Sequence, residues 1–156
     1  MRYVRLAYCA ACVLAAAACS SVPYAQRQAD RLAEYTAAAG APVSSFRFLS
    51  LYSWEPLSDT ELAVYTRPNQ AWLLDIDGGC TALAYTQSIG LTSYMHQVTA
   101  GFDKVLTGHR DIPCTIARIR PVDVTHLKEA QKARREIHEQ PRADDSRPAD
   151  VARSSP

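Results

Sequence analysis

Cys19 is the residue whose surroundings point most directly to a chemistry. It follows an apolar run from Leu6 to Ala18 that closes on Ala16-Ala17-Ala18, and Arg2 and Arg5 precede that run. The arrangement reads as a bacterial lipoprotein signal peptide over residues 1–18. The arginines hold the start in the cytoplasm, the apolar stretch enters the translocon, and the small alanines present Cys19 for cleavage and acylation, with palmitate as the representative chain. The run is shorter than the roughly 20 apolar residues of a spanning helix. The box is degenerate, because Ala16 stands where leucine is usual three residues before the cysteine. An ordinary cleaved secretory signal is therefore the alternative. Two or three acyl chains, at about 0.8 kcal/mol per buried methylene, make a stable membrane attachment. Ser20 takes the place of the aspartate that retains such proteins in the inner membrane, so the expected location is the outer membrane, facing the periplasm.

The remaining cysteines follow by arithmetic. Of five, Cys9 and Cys12 leave with the leader and Cys19 takes lipid, so Cys80 and Cys114 remain. Two thiols in an oxidising compartment predict a Cys80–Cys114 disulfide, which on the chain-entropy model contributes roughly 3–4 kcal/mol. The pair has no Cys-x-x-Cys or Cys/His spacing of the kind that binds metal. A nucleophile built from Cys114 and His109 would need a free thiol. His96, His109, His126 and His138 have no His-x-x-x-His pairing, and Asp75-Ile76-Asp77-Gly78 has the start of a calcium loop without its distal ligands. There is no glycine-rich phosphate loop and no nucleophile elbow. We therefore expect no metal, no cofactor and no enzyme activity. Tyr52, Trp54, Tyr65 and Trp72 are candidates for an aromatic-lined ligand cleft; filling the core of a small sheet is the competing use of such side chains.

Charge narrows the partners. The 17 basic residues less the two leader arginines leave 15 against 16 acidic, a net charge of −1. Nucleic-acid binding draws on clustered lysine and arginine, so this balance argues against it. Lys132-Ala133-Arg134-Arg135 is read as a solvated helix face.

Helical spacing of Ala25, Ala29, Leu32, Ala33 and Thr36 predicts a helix over Pro23–Ala39, stopped by Gly40 and Pro42. It lies in a lipid-anchored linker, residues 19–43. From Ser45 the period changes to two, with Phe46, Phe48, Tyr52 and Trp54 on one face. Glu61–Thr66 and Ala71–Ile76 form a hairpin about Pro68-Asn69, with Leu62/Val64 opposite Ala63/Tyr65 and with Trp72, Leu74 and Ile76 sharing a face. A strand near Cys80, short strands over Ser88–Leu91 and Phe102–Leu106, and a strand over Ile112–Ile119 ended by Arg120-Pro121 complete a disulfide-stapled β domain, residues 44–123. Asp123 or Thr125 caps a C-terminal helix over 124–139, with Leu127, Ala130, Ala133 and Ile137 as its apolar stripe. Residues 140–156 have the composition of a disordered tail. The fold class is α+β, mainly β: a small antiparallel sheet, bent or partly closed as a barrel, flanked by N- and C-terminal helices and carrying one disulfide.

Several phrases then stand together in order: Trp54-Glu55-Pro56-Leu57, Tyr65-Thr66-Arg67-Pro68, Ala71-Trp72-Leu73-Leu74, Ile89-Gly90-Leu91-Thr92-Ser93, Phe102-Asp103-Lys104-Val105, and Ile112-Pro113-Cys114-Thr115-Ile116 through Ile119-Arg120-Pro121-Val122-Asp123. From Ser45 to Lys128 they resemble the domain-of-unknown-function 6491 family of small proteobacterial lipoproteins. The resemblance implies a periplasm-facing lipoprotein with a cysteine pair at Cys80 and Cys114, and it brings no activity or catalytic residue. The expected function is a non-enzymatic envelope interaction or structural module. The alternative is a domain that binds or senses a small lipid, glycan or peptide.

Overall fold

The computed structural model describes residues 23–108 and 112–139. Helix α1 (Tyr24–Ala38) starts directly after Pro23, whose carbonyl accepts the first helical bond from Arg27 N–H. It ends where Ala39 turns extended and Gly40 N–H reaches the carbonyl of Pro121 at 2.8 Å. A Cβ at residue 40 would sit 3.3 Å from the Pro121 ring, so a larger residue would press that ring back by a few tenths of an ångström at this close crossing.

Eight strands follow: β1 (Ser45–Arg47), β2 (Ser53–Pro56), β3 (Glu61–Arg67), β4 (Gln70–Ile76), β5 (Gly90–Leu91), β6 (Gln97–Thr99), β7 (Lys104–Leu106) and β8 (Cys114–Val122); helix α2 (Val124–Glu139) closes the described chain. Six strands form one antiparallel sheet in the order β2-β3-β4-β8-β7-β5, curled into a half-barrel, and β1 pairs with β6 beside it. The β3–β4 hairpin has the predicted two-residue Pro68-Asn69 connection, with Leu62 opposite Leu74 and Val64 opposite Trp72.

Three local expectations differ from the structure. The run from Phe46 to Trp54 is not one strand, because β1 leaves to pair with β6 while β2 pairs with β3. Cys80 does not begin a strand: Thr81–Ala84 is a single 3-10 turn. Gly78 and Gly79, at φ 68° and 80°, break the extended backbone. The three-residue period then buries Cys80 and Leu83 together. Finally, β8 begins at Cys114 and runs through Pro121 rather than stopping before it. The Pro121 carbonyl faces Gly40, so its missing N–H also falls on that side and costs the β4–β8 ladder nothing. A register shift puts Ile76 opposite Ile116 and Asp75 opposite Arg118, which lets Ile116 and Ile119 both point inward.

Two apolar clusters result, one on each face of the sheet. The inner one gathers Phe46, Leu62, Val64, Leu74, Ile76, Leu83, Val98, Val105, Ile116 and Ile119, with Phe46 stacked on Trp72 at 4.8 Å between ring centroids. The outer one lies beneath the helices and is built from Tyr35, Ala38, Ala63, Ala71, Leu73, Val122, Val124 and Leu127. Asp123 caps α2: its Oδ1 accepts from the N–H groups of Thr125 and His126 at 2.9 and 3.0 Å. Ile137 remains 70% exposed, so the α2 stripe is used only over its first turns.

Candidate functional site

Cys19 and the whole leader lie outside the described residues, as do His109 and the tail from residue 140. Cys80 and Cys114 are joined in a disulfide across 34 residues, with Cα atoms 5.8 Å apart, within the usual span for this bond. The bond ties the 3-10 turn to the first residue of β8 and closes the inner cluster at that end. It also occupies the Cys114 sulfur that a nucleophilic reading would need. Asp75, from the calcium-like tetrapeptide, pairs instead with Arg120 at 2.9 Å and Arg118 at 3.4 Å. Among the described residues no three His, Cys, Asp or Glu side chains converge on a metal-sized site, and no helix is long and apolar enough to cross a membrane.

The four candidate aromatics do not share one cleft. Trp54 and Trp72 pack against the inner cluster, one on each side of Val64 in the ladder β2-β3-β4. Tyr65 lies on the opposite face, packed against the outer cluster. Tyr52 precedes β2 and is 62% exposed. Strand alternation decides this division, since Tyr65 is one residue out of phase with Val64.

The outer face holds a polar cluster that sequence reading missed. The Tyr35 hydroxyl, from α1, donates to Glu55 Oε2 at 2.9 Å and lies 2.8 Å from the Tyr65 hydroxyl. Arg31, one helical turn earlier, pairs with the other Glu55 oxygen. Burial pushes the Tyr35 phenol well above the ordinary tyrosine range, and its bond with Tyr65 and the negative charge of Glu55 push in the same direction. The signal available in the sequence was Arg31 and Tyr35 four residues apart on a helix face; their partner on β2 was not legible from spacing. Glu34 takes Arg134 of α2 in a two-pronged pair, at 2.9 and 3.2 Å, so Arg134 of the Lys132–Arg135 stretch ties the two helices together.

A groove of about 770 Å³ runs beside these pairs, between the start of α1, the end of β2 and the later part of α2. Tyr24, Arg27, Arg31, Glu55, Arg134 and Arg135 are among its walls. The helices run antiparallel, with Ala38 beside Asp123 and Glu34 beside Arg134. The chain therefore arrives at residue 23 and leaves after residue 139 at the same end of the molecule, where this groove opens.

The fold and its staple define a class, a small mainly-β domain curled around one apolar core with two helices on its outer face. The chain belongs to a family of unknown function (DUF6491), whose model matches residues 2–138. The match is wider than the Ser45–Lys128 span of resembling phrases and takes in α1 and nearly all of α2. No curated protein and no solved structure matches the chain.

Proposed function

We propose that the mature protein is a lipid-anchored, periplasm-facing envelope module, held at the outer membrane through acylated Cys19 and acting by contact rather than by catalysis. The Cys80–Cys114 disulfide carries this reading. Such bonds persist in oxidising compartments, and the periplasm is where a leader ending just before Cys19 delivers its cargo. Tyr24, the first residue of α1, lies five positions after Cys19. An extended segment of that length reaches at most about 17 Å, so acylation would hold the helix-side groove close to the membrane surface. An envelope partner docking beside the anchor would meet that groove first.

Intact mass spectrometry on protein extracted from membranes, with and without reductant, tests this reading. The expected mass is Cys19–Pro156 plus acyl chains, rising by two protons on reduction. A Cys19→Ser variant should leave the membrane fraction; if it stays there, the anchor reading fails. A second reading, binding of a small ligand, draws support from Trp54 and Trp72 sharing the inner face.

A further inference from the structure

We propose that the open end of the inner face, at the tip of the β3–β4 hairpin, is a binding site for a phosphate-type oxyanion. It is formed by Arg47, Ser50, Thr66, Arg67, Gln70 and His96, which with Leu49 line a recess of about 300 Å³. Three separate pieces of chain supply them. Arg47 ends β1 and Ser50 follows in the next loop. Thr66, Arg67 and Gln70 surround the hairpin turn. A register shift in the β3–β4 ladder between Tyr65 and Arg67 breaks the alternation there, so two consecutive side chains, Thr66 and Arg67, reach the same recess.

Apart from Leu49, every lining side chain carries a hydrogen-bond donor. No carboxylate takes part in it, and neither arginine has an ion pair or a side-chain hydrogen bond among the described residues. On the helix side of the same sheet, Arg31, Arg118, Arg120 and Arg134 each have a carboxylate. The Thr66 hydroxyl donates to Gln70 Oε1 at 3.0 Å, which occupies the amide oxygen and leaves the amide NH₂ free to donate. Two cations lining one small recess repel each other until an anion sits between them. A phosphate monoester offers three peripheral oxygens to two guanidinium forks, the Gln70 amide and the Ser50 hydroxyl, where a carboxylate offers only two.

Backbone strain marks the same place. Met95 and His96 are the only non-glycine residues with positive φ among the described residues, at 48° and 60°. They form a tight turn closed by reciprocal bonds between Tyr94 and Gln97, at 3.0 and 2.9 Å, and pinned by Phe48 N–H donating to the His96 carbonyl at 2.8 Å. Turns of this kind favour asparagine and glycine. Retaining an imidazole in left-handed backbone at the edge of a cationic recess fits a site whose geometry is held for a ligand.

The test uses the full chain in neutral detergent and follows the arginine side-chain N–H signals by NMR at constant ionic strength. Inorganic phosphate is titrated first, then glycerol 3-phosphate, then phosphatidic acid, whose headgroup is a monoester, doped into the micelles. Saturable shifts at Arg47 and Arg67, absent at the exposed but paired Arg118, are expected. Arg47→Gln and Arg67→Gln should each weaken binding at least tenfold with the backbone spectrum unchanged. Equal affinity for the two soluble probes identifies a free phosphate group as the ligand; saturation only with the lipid identifies a headgroup. Shifts that never saturate, shifts of equal size at Arg118, or binding kept by the Arg47→Gln/Arg67→Gln double variant would overturn the site. None of these readouts depends on whether Cys19 carries lipid.

Discussion

The two faces of one sheet use the same residue types differently. Beneath the helices, small side chains at Ala63 and Ala71 let α1 and α2 approach, and the arginine–carboxylate pairs lie on that face: Arg31–Glu55 between helix and strand, Glu34–Arg134 between the helices, and Asp75 with Arg118 and Arg120 between β4 and β8. Those pairs are partly exposed, Arg31 and Glu55 at 46% and 24% for example, so each is worth no more than about 1 kcal/mol. Arg31–Glu55 and Glu34–Arg134 orient the helices, while burial of Tyr35, Leu73 and Leu127 holds them. Inside the curl, branched aliphatics and stacked rings fill the space, and the cations at its open rim are left without partners. The difference teaches where recognition is to be sought. Paired charges on the outer face are committed to the fold, and the unpaired ones on the inner rim are available to something else.

Removing the staple should break the inner face most severely. Replacing Cys80 and Cys114 together with serine reopens a 34-residue loop, for which chain entropy gives about 4 kcal/mol. Both positions also lose contact with the inner cluster. Denaturant unfolding of the double variant should show that loss, and reductant should reproduce it in the natural sequence. A loss under about 1 kcal/mol would mean that the inner face is held by packing alone.

The outer face should respond less, and with a pH signature. Tyr35→Phe removes the hydroxyl shared by Glu55 and Tyr65 and should cost about 1–2 kcal/mol. The folded-state phenol titrates above its unfolded value, so its neutral form is favoured by folding. Its contribution is therefore fully present below the unfolded tyrosine pKa of about 10 and declines as pH rises beyond it. Unfolding free energies between pH 8 and pH 11 should fall more steeply for the natural protein than for Tyr35→Phe. Parallel curves would show that the buried phenol is not what couples this face to alkaline pH.

Much of the architecture was legible because its signals are local. Leu62/Val64 and Ala63/Tyr65 alternate without interruption, Pro68-Asn69 supplies the turn, and the hairpin followed. Asp123 or Thr125 before an apolar-spaced run offered a cap for α2, and Asp123 is the one that makes it. The cysteine pair was found by counting. What stayed hidden depends on partners distant in sequence. Pro121 looks like a terminator until the segment around Gly40 lies along its N–H side. Cys80 looks like a strand start until Leu83 is seen in the core with it. The two candidate sites were less legible still. Arg31 of α1 meets Glu55 of β2, and Arg47 and Arg67 line one recess, only after segments distant in the chain are brought together, and no spacing rule encodes such a juxtaposition.

The smallest effect is the one that sharpens the contrast most. If the Met95–His96 turn is strained, Met95→Asn with His96→Gly should relieve it and stabilise the protein by about 1 kcal/mol, since those residues suit the left-handed backbone that the natural pair endures. Met95 is 78% exposed, so little packing is lost in exchange. The same change deletes the imidazole from the recess while leaving Arg47 and Arg67 in place. Thermal unfolding and phosphate titration on one sample would then separate two roles for His96. Higher stability with weaker binding means that the rim keeps a poor turn residue for its side chain. Higher stability with unchanged binding means that the arginines suffice and the turn serves only to close the β1–β6 pair. Unchanged stability would show that Phe48 and the Tyr94–Gln97 bonds already compensate the left-handed pair, and that strain is no guide to function at this end of the molecule.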